Sequence, residues 1–265
     1  MKLAVSNIAW DDNDEYHYDT MQRYGFTGLE IAPTKFSTDP YDNLLVAIKT
    51  KQLLLTKYQL SIVSMQSLLF GTTGMFLFTS IESRKLLFAY LEKAIIYAKN
   101  IGCPVLVFGS PKNRILVEKN KDYQIAIDFF RKLGDFAKKH STCLCIEPNS
   151  KEYKTNFINT LNEANILVND VDSDGFKMIV DTSTMILNKE HPDEVMNVFA
   201  NTKHIHISMP FLKSLHQEYH KYEQWLKYLI QLIKSVEYNN YISIEMSNIT
   251  HKEVELSMGK LLQLI

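Results

Sequence analysis

The sequence predicts a single barrel of eight parallel strands wrapped by helices, a (β/α)₈ fold, and three observations carry that reading. Short β-rich runs alternate with amphipathic stretches along the chain, there are eight such runs, and no glycine-rich turn follows the first of them. Alternating strands and helices require crossover connections and therefore a parallel sheet, and eight units in 265 residues favour closure into a barrel over an open sheet. An open dinucleotide-binding sheet would place GxGxxG after its first strand. Asn7-Ile8-Ala9-Trp10 stands there instead, and no Walker sequence occurs anywhere.

In order, the expected strands are Leu3–Ile8, Gly28–Ala32, Ser61–Gln66, Val105–Phe108, Cys143–Glu147, Met178–Asp181, His204–Ile207 and Tyr241–Glu245. The clearest intervening helix carries Leu87, Tyr90, Leu91, Ala94, Ile95 and Ala98 on one face, with Gly102 as its stop. Thr160 with Glu163, and Thr250 with Glu253, have the spacing of a capping box, which satisfies free amides at a helix start. No solenoid-period repeat, low-complexity stretch or linker interrupts the chain, so residues 1–265 are read as one domain.

Composition narrows the classes of function. Hydrophobic residues at 46% and charged residues at 22% describe an ordinary globular chain with a substantial core. Twenty-nine basic residues against thirty acidic ones leave no global field to draw the chain to nucleic acid or anionic lipid. Without a signal-peptide pattern or an apolar run near the ~20 residues of a membrane span, the expected location is cytoplasmic, with no membrane partner. Cys103, Cys143 and Cys145 are too few for a disulfide framework and read as small core residues, the last two presented by one strand to one face.

Chemistry in such a barrel collects at the C-terminal strand ends, where the loops share one rim. Strand five ends in Glu147 (CLCIE), strand six in Asp181 (MIVD), strand seven in His206 (HIHIS) and strand eight in Glu245 (YISIE). A lone carboxylate there is as readily a cap or ion-pair partner, but four consecutive strands ending in ligand types point to one divalent ion. An unpaired charge beside such apolar runs costs several kcal/mol to bury, and a cation removes that cost. Three carboxylates and one imidazole suit Mn²⁺, Mg²⁺, Co²⁺ or Zn²⁺. Candidate substrate contacts near the rim are Trp10, Gln66, Lys112 and Arg114, the last two placed to grip a phosphate or carboxylate or simply to form a solvated basic loop. Glu30 also sits near a strand end. Met75-Phe76-Leu77-Phe78 is either a lid or ordinary rim packing, His204 a hydrogen-bonded core residue, and His216 and His220 solvent-exposed.

On SNIAW, GFTGLEIAPTK, SMQSLLFG, IEPNSKEYKTNF, DTSTM, HIHIS and YISIEM, the chain resembles the xylose isomerase-like barrels over nearly its whole length. The likeness is to their sugar phosphate isomerase/epimerase branch. The resemblance implies that Glu147, Asp181, His206 and Glu245 bind one metal and that Glu147 and Glu245 also move the substrate proton, by way of an enediolate of a sugar, sugar phosphate or polyol. It leaves open epimerisation, isomerisation, loss of water by a lyase, and a barrel that binds without catalysis. Barrels of this family often pair, and the apolar 75–78 run would be a contact for a homodimer. The chain also departs from its relatives. Thr184 replaces a common histidine, Met209 stands where an acid is frequent, and Lys154 occupies a usual glycine position. Gln66 and Ser110 stand where the DNA-repair endonucleases of the superfamily place extra histidines for a three-metal cluster, so a nuclease is not expected.

Overall fold

The computed structural model describes residues 1–11, 13–247 and 249–265. Its strands are β1 (Lys2–Ser6), β2 (Gly28–Ile31), β3 (Ser61–Met65), β4 (Val105–Phe108), β5 (Cys143–Ile146), β6 (Phe176–Asp181), β7 (Thr202–Ser208) and β8 (Tyr241–Glu245). They form a closed barrel in chain order, and β1 pairs in parallel with β8 to complete it. The helices are α1 (Asp14–Arg23), α2 (Leu44–Leu53), α3 (Ile81–Ile101), α4 (Lys119–Lys139), α5 (Leu161–Val171), α6 (Thr182–Asn188), α7 (Leu215–Ser235) and α8 (His251–Leu264). Every expected strand is present, with ends shifted by one or two residues except at β4 and β8. At β1 the apolar run overstates the strand: the chain turns into a 3₁₀ helix at Asn7–Ala9, because the Asn7 side chain leaves the ladder to accept the Ala32 N–H at 2.7 Å.

Strand alternation sorts the apolar residues into two populations. Val5, Leu29, Leu106, Phe108, Leu144, Ile146, Val180, Ile205 and Ile244 belong to the main core shared with the helices. Inside the barrel, Val105, Val107, Cys143, Cys145 and Ile179 form a separate small cluster. Ser6, Glu30, Ser64, His204, His206 and Ser243 are buried polar residues of β1, β2, β3, β7 and β8, so this side of the barrel must satisfy its hydrogen bonds internally.

Leu87, Leu91, Ala94, Ile95 and Ala98 are fully buried along α3, which ends where Gly102 adopts φ 72° and donates to the carbonyls of Ala98 and Lys99. Thr160 and Thr250 cap α5 and α8 by accepting the N–H groups of Glu163 and Glu253. The return halves of the boxes go elsewhere: Glu163 takes the Asn159 N–H and Glu253 the Ser214 hydroxyl. Among the described residues, no helix is long and apolar enough to cross a membrane.

Candidate active site

The four strand-end residues converge. One donor atom from each of Glu147, Asp181, His206 and Glu245 lies within 4.8 Å of the others. His206 Nδ1 is 3.1 Å from Glu147 Oε1 and 3.4 Å from Glu245 Oε2, so a single atom position is ringed by carboxylate oxygens from β8 and from the residue that follows β5. His206 is fully buried, whereas the side chains of Glu147 and Glu245 keep 12% and 10% of their surface at the floor of a cleft of about 280 Å³.

Each ligand candidate is held by its own neighbours. Asp181 caps α6 by accepting the Thr184 N–H at 2.6 Å, and its other oxygen takes the Ser208 hydroxyl. Glu245 Oε1 accepts from Gln66 Nε2 at 2.8 Å, and that amide is in turn fixed by Ser6 and Ser67. Glu147 is gripped from behind: Arg114 donates to its carbonyl at 2.6 Å and to Asn149 Oδ1 at 2.7 Å, and the Asn149 amide donates to Glu147 Oε2 at 3.3 Å. Gly109 leaves the space this carboxylate fills, since a Cβ there would lie 1.9 Å from Glu147 Oε2. Gly109→Ala is therefore expected to displace Glu147 by about an ångström and reduce turnover roughly 100-fold while the barrel stays folded. Steady-state rates read beside a thermal melt check this.

Glu30 is the residue to which the sequence alone assigns no task. Its Oε2 lies 3.0 Å from His206 Nε2 and 3.0 Å from His204 Nε2, and it accepts the Ser64 hydroxyl at 2.6 Å. Glu30 thus fixes the far nitrogen of His206 and leaves Nδ1 facing the carboxylates, as a carboxylate behind a metal-binding histidine does. His204 is the hydrogen-bonded core histidine that its depth predicts.

Electrostatics follow from burial plus crowding. Burial, reinforced by Glu147, pushes the Asp181 carboxyl up to about 6. Burial likewise pushes Glu245 up to about 7, with Glu147 and Asp181 adding to it and His206 opposing. Burial disfavours charged His206, but Glu30, Glu245 and Glu147 together hold it well above the usual imidazole range. Burial also opposes the charge of Glu30, yet His206 and His204 hold its carboxyl well below the ordinary value. Three carboxylates packed around one imidazole are an arrangement that a divalent cation relieves, and the hard oxygen-rich set fits Mn²⁺, Mg²⁺, Co²⁺ or Zn²⁺.

The four proposed substrate contacts divide. Gln66 and Lys112 line the cleft, together with Phe70, Asn149, Tyr153 and Leu212, which sequence reasoning missed. Trp10 and Arg114 are not among the residues that line it. Trp10 is buried, stacked on His17 at 4.2 Å, with its indole N–H on Asp14. Arg114 is turned inward by the carbonyl and amide it serves, and burial lowers its guanidinium to about 10 against the pull of Glu147. Met75–Phe78 packs as rim: Leu77 and Phe78 are buried, Asn113 holds the Met75 carbonyl, and Phe78 meets Phe157 edge-on at 5.1 Å. The exposed aromatic over the cleft is Phe70, at 70%. His220 is exposed and His216 only half-buried.

A family model described as xylose isomerase-like TIM barrel matches residues 18–263. The chain belongs to the xylose isomerase-like TIM barrel family. No curated protein matches its sequence. Among solved structures, it is similar to 3-keto-D-glucoside 4-epimerase from E. coli, with 18% identity, TM-score 0.77, and coverage of 100% of this chain and 98% of that one. It is similar to D-psicose 3-epimerase from Clostridium cellulolyticum H10, solved with D-tagatose, at 13% identity, TM-score 0.79, and 100% and 98% coverage. The probable 3-DHS dehydratase of Bacillus anthracis aligns at 14% identity, TM-score 0.69, and 100% and 99% coverage.

The departures from the family now have structural accounts. Lys154 adopts φ 59°, the left-handed region that explains why glycine is common there. Met209 is fully buried. The Thr184 hydroxyl donates to the Pro148 carbonyl at 3.0 Å, tying α6 to the segment that carries Glu147.

Proposed function

We propose that this chain is a divalent-metal-dependent sugar isomerase or epimerase, with Glu147 and Glu245 as its proton-transfer pair. The observation that carries the reading is the approach of these two carboxylates, from β8 and from the end of β5, to one point beside His206 Nδ1 at 3.1 and 3.4 Å. Glu147, Asp181, His206 and Glu245 would hold the ion, which when bound stabilises negative charge growing on substrate oxygens.

The remaining steps belong to side chains. One carboxylate takes a proton from the carbon beside the carbonyl, and the other returns one. Return to the opposite face of that carbon gives an epimer, and return to the neighbouring carbon gives an aldose–ketose pair. The two parts fall to Glu147 and to Glu245, whose carboxyl ends β8. Gln66 keeps the carboxyl aimed through its hydrogen bond. Lys112 and Tyr153 also line the cleft, where they are available to meet the hydroxyls of a small sugar or polyol.

Incubation of the Mn²⁺-loaded protein with ketohexoses such as D-fructose and D-tagatose in deuterated water tests this. Deuterium at one carbon of an otherwise unchanged formula is the expected result. A product lighter by water would assign the lyase reaction, a reading to which the dehydratase-like neighbour lends support. No exchange into any ketose or polyol, with metal bound, would leave a binding barrel.

A further inference from the structure

Outside the cleft, the barrel encloses a second group of potential ligands. Cys143 and Cys145 occupy alternate positions of β5, both turned inward with Val105, Val107 and Ile179, and their sulfurs lie 3.8 Å apart. Cys143 lines a cavity of about 370 Å³ whose walls include Thr142, Lys203 and Tyr241. These residues lie at the starts of β5, β7 and β8, so the cavity is the N-terminal mouth of the barrel, at the end away from the cleft. Cys103 stands apart, donating its thiol to the Val105 carbonyl at 3.2 Å.

Two kinds of bond compete for such a pair. A disulfide requires the sulfurs at ~2.05 Å and the Cα atoms within ~6.8 Å. Residues two apart on an extended strand are separated by roughly 6.6 Å, at the far edge of that range. An ion between the sulfurs demands no such closure. With metal–sulfur bonds of ~2.3 Å, sulfurs 3.8 Å apart subtend about 111° at the ion by triangulation, close to the tetrahedral angle.

We propose that Cys143 and Cys145 form a second cation site, a bis-thiolate that takes one soft, thiophilic closed-shell ion of the Zn²⁺, Cd²⁺ or Cu⁺ class through the N-terminal mouth. Each thiol gives its proton to solvent as its bond to the ion forms, so two protons leave per ion. Among the described residues, no His, Cys, Asp or Glu joins the two thiols as a third donor within 4.8 Å. Water or a small thiol in the cavity completes the shell, which makes the ion exchangeable and distinguishes the site from a closed structural zinc centre. Its donors are also chemically unlike the oxygen-rich set at the opposite mouth, so the thiols favour Cd²⁺ and Cu⁺ and the carboxylates Mn²⁺ and Mg²⁺, with Zn²⁺ acceptable to both. Cys143, Cys145 and Glu147 alternate along the inner side of one chain segment, and an ion on the first two stiffens the support of the third.

The test is a titration of the reduced, Mn²⁺-loaded protein with Cd²⁺, followed by the ultraviolet thiolate-to-cadmium charge-transfer band. A site made of oxygens and imidazole gives no such band. One equivalent per chain is expected to saturate the signal in the native protein and in Cys103→Ser. The band should be lost in Cys143→Ala and in Cys145→Ala, with Cys145→Val as a second apolar variant that leaves no cavity and circular dichroism to confirm the fold. Absence of the band in the native protein, its survival in either single variant, its dependence on Cys103, or a mass lower by two hydrogens that marks a disulfide would each overturn the proposal.

Discussion

Glu245→Gln is expected to lower proton exchange into the substrate by roughly 10²–10⁴-fold, the usual contribution of a positioned acid or base, while the barrel remains folded. The amide has the shape of the carboxyl it replaces and can still meet Gln66 by presenting its oxygen to the Gln66 Nε2–H, so the local hydrogen bond survives. It also removes one of the three acidic groups gathered in the proposed ligand cluster, which relieves repulsion among them in the metal-free protein. A melting temperature equal to or above that of the native protein should therefore accompany the loss of exchange. Glu147→Gln should lose exchange similarly, whereas Asp181→Asn, which touches no proposed proton path, should act first through weaker metal retention. Deuterium wash-in, read beside metal content per chain, separates these cases. A metal-loaded Glu245→Gln protein that keeps more than about a tenth of native exchange would remove Glu245 from the proton path.

Why these four residues could be found in the sequence, and others not, has a physical reason. Strands of a closed parallel barrel are buried against helices, so they read as apolar runs, and an acid that ends such a run stands out, as in CLCIE and YISIE. Periodicity likewise exposed α3, whose buried face repeats at helical spacing. Glu30 was harder to assign, because the partners that give it a role, Ser64, His204 and His206, lie on other strands, 34 to 176 residues away. No local pattern joins them. The inward turn of Arg114 is hidden for the same reason: PKNR reads as a basic rim loop, but the acceptors that turn Arg114 inward, the Glu147 carbonyl and the Asn149 side chain, belong to the next unit of the barrel. Trp10 follows an apolar run, and only the stack on His17 places it in the wall. Spacing within an element was legible, whereas side-chain direction set by contacts between elements was not.

Stability of the metal-free protein should fall as pH rises from 5 to 8, and divalent metal should flatten or reverse that slope. Glu245 and Asp181 have folded values of about 7 and about 6, above their unfolded values near 4.3 and 3.9, so between these limits the folded state binds more protons than the unfolded one. Stability therefore declines with rising pH across that window. His206, held well above its unfolded value, continues the decline above pH 6.5. Glu30 is shifted downward, so its contribution is already complete by pH 5 and is lost only on further acidification. His204, lowered by burial, works in the opposite direction below pH 6.5, one group against Glu245 and Asp181. Glu190, raised to about 7 by burial away from the site, adds to the decline but should not respond to metal. Because a tenfold change in proton affinity is worth about 1.36 kcal/mol, the site's share is on the order of a few kcal/mol. A cation bound by these groups must displace their protons, so its stabilising effect grows with pH. Melting temperatures at pH 5, 6, 7 and 8, in chelator and in excess Mn²⁺, measure both slopes. Equal metal-induced shifts at pH 5 and pH 8 would mean that the groups binding the ion are not Glu245, Asp181 and His206, because an ion held by these side chains has more protons to displace at pH 5 than at pH 8.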